Sequence, residues 1–191
     1  MNNESNFFLS GHVRTVTGAH VSITDPQPQT INIMDIATGL GYTGAMGSQT
    51  PFYISLAEQA TIAVDILPMG AAPRVKLATL LYNSTAAYMG SVQHSCLLFE
   101  FGELLSADQI LKTCIFERYG LLNEAIKVVG AQYDRQAFQV VKRATEGAPD
   151  KRVRALTPEI SKYNFLKTFK AITQEIVINE GLPYEKVYPV Y

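Results

Sequence analysis

Residues 52–68, FYISLAEQATIAVDILP, decide the fold because their apolar side chains recur at helical spacing. Small and aliphatic residues form one stripe along this segment: Ile54, Ala57, Ala60, Val64 and Leu67. Steps of three and four residues are typical of one face of an α-helix, so the segment predicts a helix over about 53–67. Pro68 and Gly70 then end it.

The same periodicity extends to both sides of this segment. It predicts further helices over about 31–40, 73–90, 106–119, 122–144 and 157–178. Gly39 and Gly41 are expected to close the first of them. Residues 7–24 mix β-forming residues with glycine, which predicts a short hairpin or an extended arm. We therefore predict an all-α chain with one domain, comprising an N-terminal arm (1–30), a helical core (31–178) and an extended tail (179–191).

The composition is that of an ordinary globular protein. Hydrophobic residues make up 47% of the 191 residues and charged residues 17%, and the net charge is −1. This balance gives no electrostatic reason to expect nucleic acid as a partner. No window approaches the roughly 20 apolar residues of a membrane span. The N-terminus does not resemble a secretory signal, and Cys96 and Cys114 are expected to be free thiols, so we predict a cytoplasmic protein.

The residues themselves contain little recognisable chemistry. His12, His20 and His94 form no metal-binding pair, and neither cysteine belongs to a CxxC motif. Residues 39–44 match the pattern GxGxxG, but they follow a predicted helix rather than a strand, so we interpret the match as accidental. We predict no metal, no cofactor and no catalytic residue from these patterns, although groups that are distant in sequence could still meet in space.

Two long segments nevertheless resemble a known family. TINIMDIATGLGYTG (30–44) with FYISLAEQATIAVDILP (52–68), followed by VKLATLLYNSTAAYMGSV (75–92), resembles the HD-domain phosphohydrolases. The similarity is greatest to the small nucleotide phosphohydrolases, or 5′-nucleotidase-like branch, of bacteria and phages. ERYGL (117–121) and RATE (143–146) resemble later motifs of that family. The resemblance implies a helical HD fold, and the family's reaction requires a divalent metal that activates water.

The family's metal-binding and acidic positions are occupied by other residues in this chain. The first histidine of the family corresponds to Ala45 or Ser48. The remaining positions carry neutral residues: Gln59, Tyr82, Asn83, Ala86, Ser91 and Gln139. Asp134 lies five residues before Gln139, which turns it about 140° away on the same helix. Neutral amides hold a divalent cation weakly, so the resemblance implies an HD fold without its metal chemistry.

Three functional hypotheses remain open. In the first, the chain is a catalytically inactive HD protein that binds a nucleotide or a nucleotide-like ligand at those six positions. In the second, it is a structural or interaction module that binds a second copy of itself or another protein. Tyr82 would then fill the cleft, and the tail residues Tyr184, Tyr188 and Tyr191 would contribute to the interface. In the third, it remains a phosphohydrolase with a non-standard site that uses His94, Glu58 or Asp134.

Overall fold

The computed structural model describes residues 11–90, 102–127 and 130–182, and these ranges are mostly helical. A hairpin comes first, formed by β1 (His12–Arg14) and β2 (His20–Ser22). The helices that follow within the described residues are α1 (Ile33–Tyr42), α2 (Leu56–Asp65), α3 (Pro73–Leu80), α4 (Ala86–Met89), α5 (Gly102–Arg118), α6 (Leu122–Lys127), α7 (Gly130–Thr145) and α8 (Pro158–Glu180). The prediction of a helical chain with a short N-terminal hairpin is confirmed.

Helix α8 is the element around which α1, α2 and α3 pack. Thr157 caps its N-terminus by accepting a hydrogen bond from the Ile160 amide, and Pro158 occupies the first turn, where no amide donor is needed. Its inward side chains include Phe165 and Phe169, both buried. The Phe169 ring meets Tyr119 edge to face at 5.5 Å between ring centroids. This apolar contact joins α8 to the end of α5.

The N-terminal hairpin is fastened to the first turn of α1. Val13 pairs with Val21 across the two strands, and Val21 is fully buried. Beyond β1, the Thr17 backbone amide and hydroxyl both donate to the Asp35 carboxylate, at 2.9 Å and 2.7 Å. Asp35 is itself buried, so these donors replace the water that the carboxylate loses. The hydrogen bonds from Thr17 to Asp35 and the burial of Val21 therefore both hold the hairpin in place.

The prediction that Gly39 and Gly41 close the first helix is wrong. Helix α1 runs through both of them to Tyr42. A Cβ atom on Gly39 would lie 2.6 Å from the backbone of Ala87, and one on Gly41 would lie 2.9 Å from the Pro158 carbonyl oxygen. Both glycines are therefore helical residues whose small size lets α4 and α8 approach α1 closely.

The predicted helix over 73–90 is interrupted. The segment 73–90 stops being helical at Leu80 and continues as a turn over residues 81–85 before α4 begins. Asn83, Ser84 and Thr85 lie at this break, and side chains of these types favour turns over helix interiors. The segment 122–144 is described as α6 and α7, with residues 128 and 129 outside the described part. Helix α5 begins at Gly102, four residues before the predicted start.

Further expectations concern residues that the structure does not describe, and membrane-spanning helices. The tail residues Tyr184, Tyr188 and Tyr191 lie outside the described residues, and so does Cys96. In the part that the structure describes, none of the helices combines the length and the apolar character that crossing a membrane requires.

Candidate functional site

The predicted site begins on α2, where Gln59 is buried with 4% of its surface exposed. Ser55 caps this helix by accepting a hydrogen bond from the Glu58 amide at 3.0 Å. The cap fixes the first turn of α2, and the first turn contains both Glu58 and Gln59. Gln59 already has an interaction within the protein, so it is not a free polar group waiting for a ligand.

Glu58, the neighbour of Gln59, has a structural role that the sequence did not reveal. Its carboxylate is buried and accepts the backbone amides of Arg154 at 2.6 Å and Leu156 at 3.1 Å. Ala155 between them has a φ of +50°, a left-handed conformation that non-glycine residues rarely adopt. The strained turn aims two amide donors at one carboxylate. Glu58 therefore anchors the loop between α7 and α8 onto α2.

The second part of the predicted site is the turn after α3. Tyr82 and Asn83 are partly buried there, and Ala86 opens α4. The ammonium group of Lys112, on α5, lies 4.4 Å from the centroid of the Tyr82 ring. This is cation–π geometry, and Lys112 also lies 3.8 Å from the Asp108 carboxylate one turn away. Tyr82 is therefore held against α5 rather than being directed freely into solvent.

The third part is Gln139 on α7, which is exposed. Its backbone carbonyl accepts a hydrogen bond from Nε of Arg143 at 3.3 Å, so a guanidinium group lies one turn from this position. The positive charge of Arg143 also helps to keep the pKa of Asp150 low, at about 2, although hydrogen bonds from Arg152 are the main cause. Arg143 thus lies near both Gln139 and the loop that Glu58 anchors.

The elements that carry these positions contact one another. Helix α2 packs against α3 and α7, and α3 also touches α7. Gln59, the Tyr82–Asn83 turn and Gln139 are therefore on or directly beside neighbouring helices. They differ in exposure, from buried Gln59 through partly buried Asn83 to exposed Gln139. Asn83 and Tyr82 each have an interaction within the protein. Ser91 lies outside the described residues.

Of the alternative ligands in the enzyme hypothesis, only the side chain of Glu58 lies in the described part. No group of three His, Cys, Asp or Glu side chains is arranged there to hold a metal ion. Both carboxylate oxygens of Glu58 are occupied by backbone amides. His94 and the side chain of Asp134 lie outside what the structure describes. His12 and His20 are exposed on the hairpin, where they face outward from opposite strands.

The Gly-rich loop between α1 and α2 contains Ala45 and Ser48, the two positions that correspond to the family's first histidine. Ala45 is buried, and its amide donates to the Ile54 carbonyl at 2.8 Å. Met46 and Ser48 both have positive φ, 54° and 61°, so the turn is left-handed. A β-bridge between Gly44 and Ser55 closes the loop directly before α2. Ser48 is therefore part of a tight turn rather than of a strand–turn–helix phosphate loop.

A cleft of about 370 Å³ lies along α5, where no sequence motif predicted a site. Its lining combines polar and apolar residues from α5 and the N-terminal arm: Pro26, Gln109, Ile110, Thr113, Cys114 and Glu117. Burial raises the pKa of the Cys114 thiol to about 11, which keeps it protonated and unreactive. Only the helical spacing of residues 109, 110, 113, 114 and 117 could have indicated that they share one face.

No protein-family model and no curated protein matches this chain. The class that the described residues define is a mostly helical protein with a short N-terminal hairpin.

Proposed function

We propose that this chain is a catalytically inactive HD-like protein that binds a nucleotide or a nucleotide-like phosphate ligand without a divalent metal. The HD relationship itself rests on the sequence resemblance, which spans most of residues 7–146. The ligand would lie where α2, the α3–α4 turn and α7 meet, beside Gln59, Asn83 and Gln139. Amide side chains can donate and accept hydrogen bonds to a base or a sugar, which suits a ligand pocket better than a metal site.

The observation that carries the proposal is the presence of cations beside two predicted positions. Lys112 lies over the Tyr82 ring, and Arg143 donates a hydrogen bond to the backbone carbonyl of Gln139. Lysine and arginine side chains are the usual protein donors to phosphate, and arginine can bind two phosphate oxygens at once. In this proposal they supply the positive charge that a metal supplies in the family. No hydrolysis is expected, because nothing proposed here activates water.

One specific observation favours a second function, that of a scaffold whose former cleft is filled. Tyr82 packs against the core and lies beneath Lys112, while Gln59 is buried. Filled in this way, the site would have no space for a ligand, and the chain would act through its surface. The two proposals make opposite predictions about nucleotide binding, so one experiment separates them.

The test is a melting-temperature screen of nucleoside mono- and triphosphates in the presence of a chelator. A ligand present at 100 times its Kd stabilises the folded state by about 2.7 kcal/mol, which raises Tm by about 5–10 °C for a chain of this size. The binding proposal expects such a shift without added metal. An unchanged Tm with every nucleotide would contradict the binding proposal and favour the scaffold function.

Substitutions then locate the bound ligand. Arg143→Gln and Lys112→Gln each remove one proposed phosphate donor, and each should weaken binding by roughly tenfold or more. Arg14→Gln removes an exposed cation on the hairpin and serves as the matched control, with unchanged affinity expected. Equal weakening by all three variants would indicate non-specific charge attraction and would contradict the proposed site.

A further inference from the structure

The cleft along α5 is separate from the proposed nucleotide site and has the size of a small-molecule site. We call it the α5 cleft, and its described lining is Pro26, Gln109, Ile110, Thr113, Cys114 and Glu117. Its volume of about 370 Å³ lies within the range of pockets that hold small ligands. Gln59, Asn83 and Gln139 do not line it, so a ligand in the α5 cleft would contact a different surface.

The floor of the α5 cleft is apolar. Pro26 and Cys114 are buried, and burial raises the pKa of the Cys114 thiol to about 11, so the floor carries no charge at neutral pH. Ile110, beside them on α5, is 45% exposed, which leaves its side chain accessible to a ligand. The floor can therefore contact the aliphatic part of a ligand.

One edge of the α5 cleft is polar. Gln109, Thr113 and Glu117 recur at steps of four residues, are all exposed, and extend over about 12 Å of the helix. Within the described residues, none of these three side chains makes a hydrogen bond or an ion pair. Thr79 and Thr173, in other helices, donate to the carbonyl four residues earlier, whereas the Thr113 hydroxyl does not. The edge therefore offers an amide, a hydroxyl and a carboxylate to a ligand.

The charge of the α5 cleft comes from Glu117, which is the one charged residue among the six described residues of the lining. Its carboxylate contributes to the raised pKa of the Cys114 thiol, although burial is the main cause, so this charge acts on the floor of the cleft. A ligand in the cleft would meet a negative potential. Such a potential repels phosphate and attracts a cation.

Two neighbouring cations of α5 are directed to other parts of the molecule. Lys112 lies over the Tyr82 ring, 4.4 Å from its centroid. Arg118 is turned about 100° around the helix from Glu117. Burial raises the pKa of Tyr119, and the charge of Arg118 partly offsets that effect. These interactions hold both positive charges away from the polar edge.

We propose that the α5 cleft binds a linear aliphatic polyamine. Its ammonium groups would donate to the Glu117 carboxylate, the Thr113 hydroxyl and the amide carbonyl oxygen of Gln109. Its methylene groups would lie against Ile110 and Cys114. Acceptors spaced about 6 Å apart along a helix suit several amino groups on one chain better than a single compact cation. The proposal does not depend on nucleotide binding, so either proposal can fail without the other.

The probe is spermidine, a linear triamine, which is added at pH 7 to the ¹⁵N-labelled full-length chain and followed by two-dimensional NMR. We expect saturable shifts at the amides of residues 109–117, with a Kd on the order of 1 mM because the polar edge is exposed to solvent. Glu117→Gln should weaken binding about fivefold. Thr113→Lys places an ammonium group of the protein in the cleft and should abolish binding.

Two controls separate the cleft from general charge attraction and from apolar contact. Glu146→Gln removes an exposed carboxylate that does not line the cleft, so binding should be unchanged. A neutral chain of the same length, 1,8-octanediol, should bind much more weakly than spermidine. The NMR spectrum of each variant also shows whether it is folded.

Three results would overturn the proposal. The first is the absence of shifts at residues 109–117 with spermidine at about 20 times the expected Kd. The second is equal weakening by Glu146→Gln and Glu117→Gln, which would indicate only long-range attraction. The third is equal binding of 1,8-octanediol, which would show that the cleft selects apolar chains rather than cations.

Discussion

At the scale of single residues, Glu58 shows how a carboxylate beside the predicted site serves the fold. Glu58→Gln would place an amide group where two backbone donors now meet a carboxylate. Hydrogen bonds to charged groups contribute more than neutral ones, and a buried donor that loses its acceptor destabilises the protein. We expect the free energy of unfolding to fall by about 2 kcal/mol, measured by urea denaturation.

Glu146→Gln is the matched control for Glu58→Gln. Glu146 is exposed, and its oxygen lies 3.9 Å from the Lys142 ammonium group, so its loss should change stability by less than about 0.5 kcal/mol. Equal stability of the Glu58→Gln variant and the original protein would mean that the carboxylate does not anchor the loop.

The direction of the stability change in Gly39→Ala tests how closely α1 packs against α4. In an open helix, Gly→Ala stabilises by up to about 1 kcal/mol because it reduces backbone entropy in the unfolded chain. Here the new Cβ would lie 2.6 Å from Ala87. Such overpacking costs about 1–3 kcal/mol, so we expect Gly39→Ala to lower the urea midpoint. A higher midpoint would show that α1 and α4 are not in close contact.

The Cys114 thiol should resist modification at moderate pH. Burial raises its pKa to about 11, whereas an unfolded thiol titrates near 8.5. Because the folded-state pKa is the higher one, the stability that this neutral thiol contributes is complete below about pH 8.5. It is lost as the pH rises towards 11. In a Cys96→Ser background we expect reaction with a thiol reagent at pH 8 to be roughly a hundredfold slower than for a free thiol. Reaction at the free-thiol rate would contradict this burial.

The sequence could indicate which residues stand at the predicted site but not how they are used. That Gln59, Asn83 and Gln139 stand at the family's metal-ligand positions is a prediction from motif order alone. That Glu58 binds the loop after α7 could not be predicted, because its partners are backbone amides 96 and 98 residues away. Backbone donors leave no signature in residue type, and Ala155 gives no hint of a left-handed conformation.

At the scale of elements, the hairpin is expected to open as a unit. Asp35→Asn removes the charge that the Thr17 amide and hydroxyl now contact. We expect faster amide hydrogen exchange at residues 12–22, while α8 exchanges as before, because the hairpin would then lose the charged acceptor that holds Thr17. Asp25→Asn, on the exposed turn that follows β2, is the control. Uniformly faster exchange throughout the chain would instead indicate that Asp35 supports the whole fold.

Periodicity predicted the helices well where propensity and tertiary packing agree. Thr157 and Pro158 gave the start of α8 correctly, because capping is a local interaction. The glycines of α1 misled the prediction, because glycine is also used where helices approach closely. The break after Leu80 was missed, since apolar residues continue across it and only Asn83, Ser84 and Thr85 indicate a turn.

At the scale of the whole molecule, the protein is a helical scaffold in which packing interactions involve several residues of the predicted site. Glu58 holds a loop, Tyr82 lies against Lys112, and Gln59 is buried. We propose that two cations, Lys112 and Arg143, together with amide side chains, bind the phosphate ligand.

The most direct measurement of the central claim is isothermal titration of chelator-treated protein with the nucleotide that gives the largest Tm shift. The expected result is one site per chain, with an affinity that is unchanged by manganese and falls at least tenfold in Arg143→Gln. Binding that appears only after manganese is added, or that is followed by release of phosphate, would contradict it.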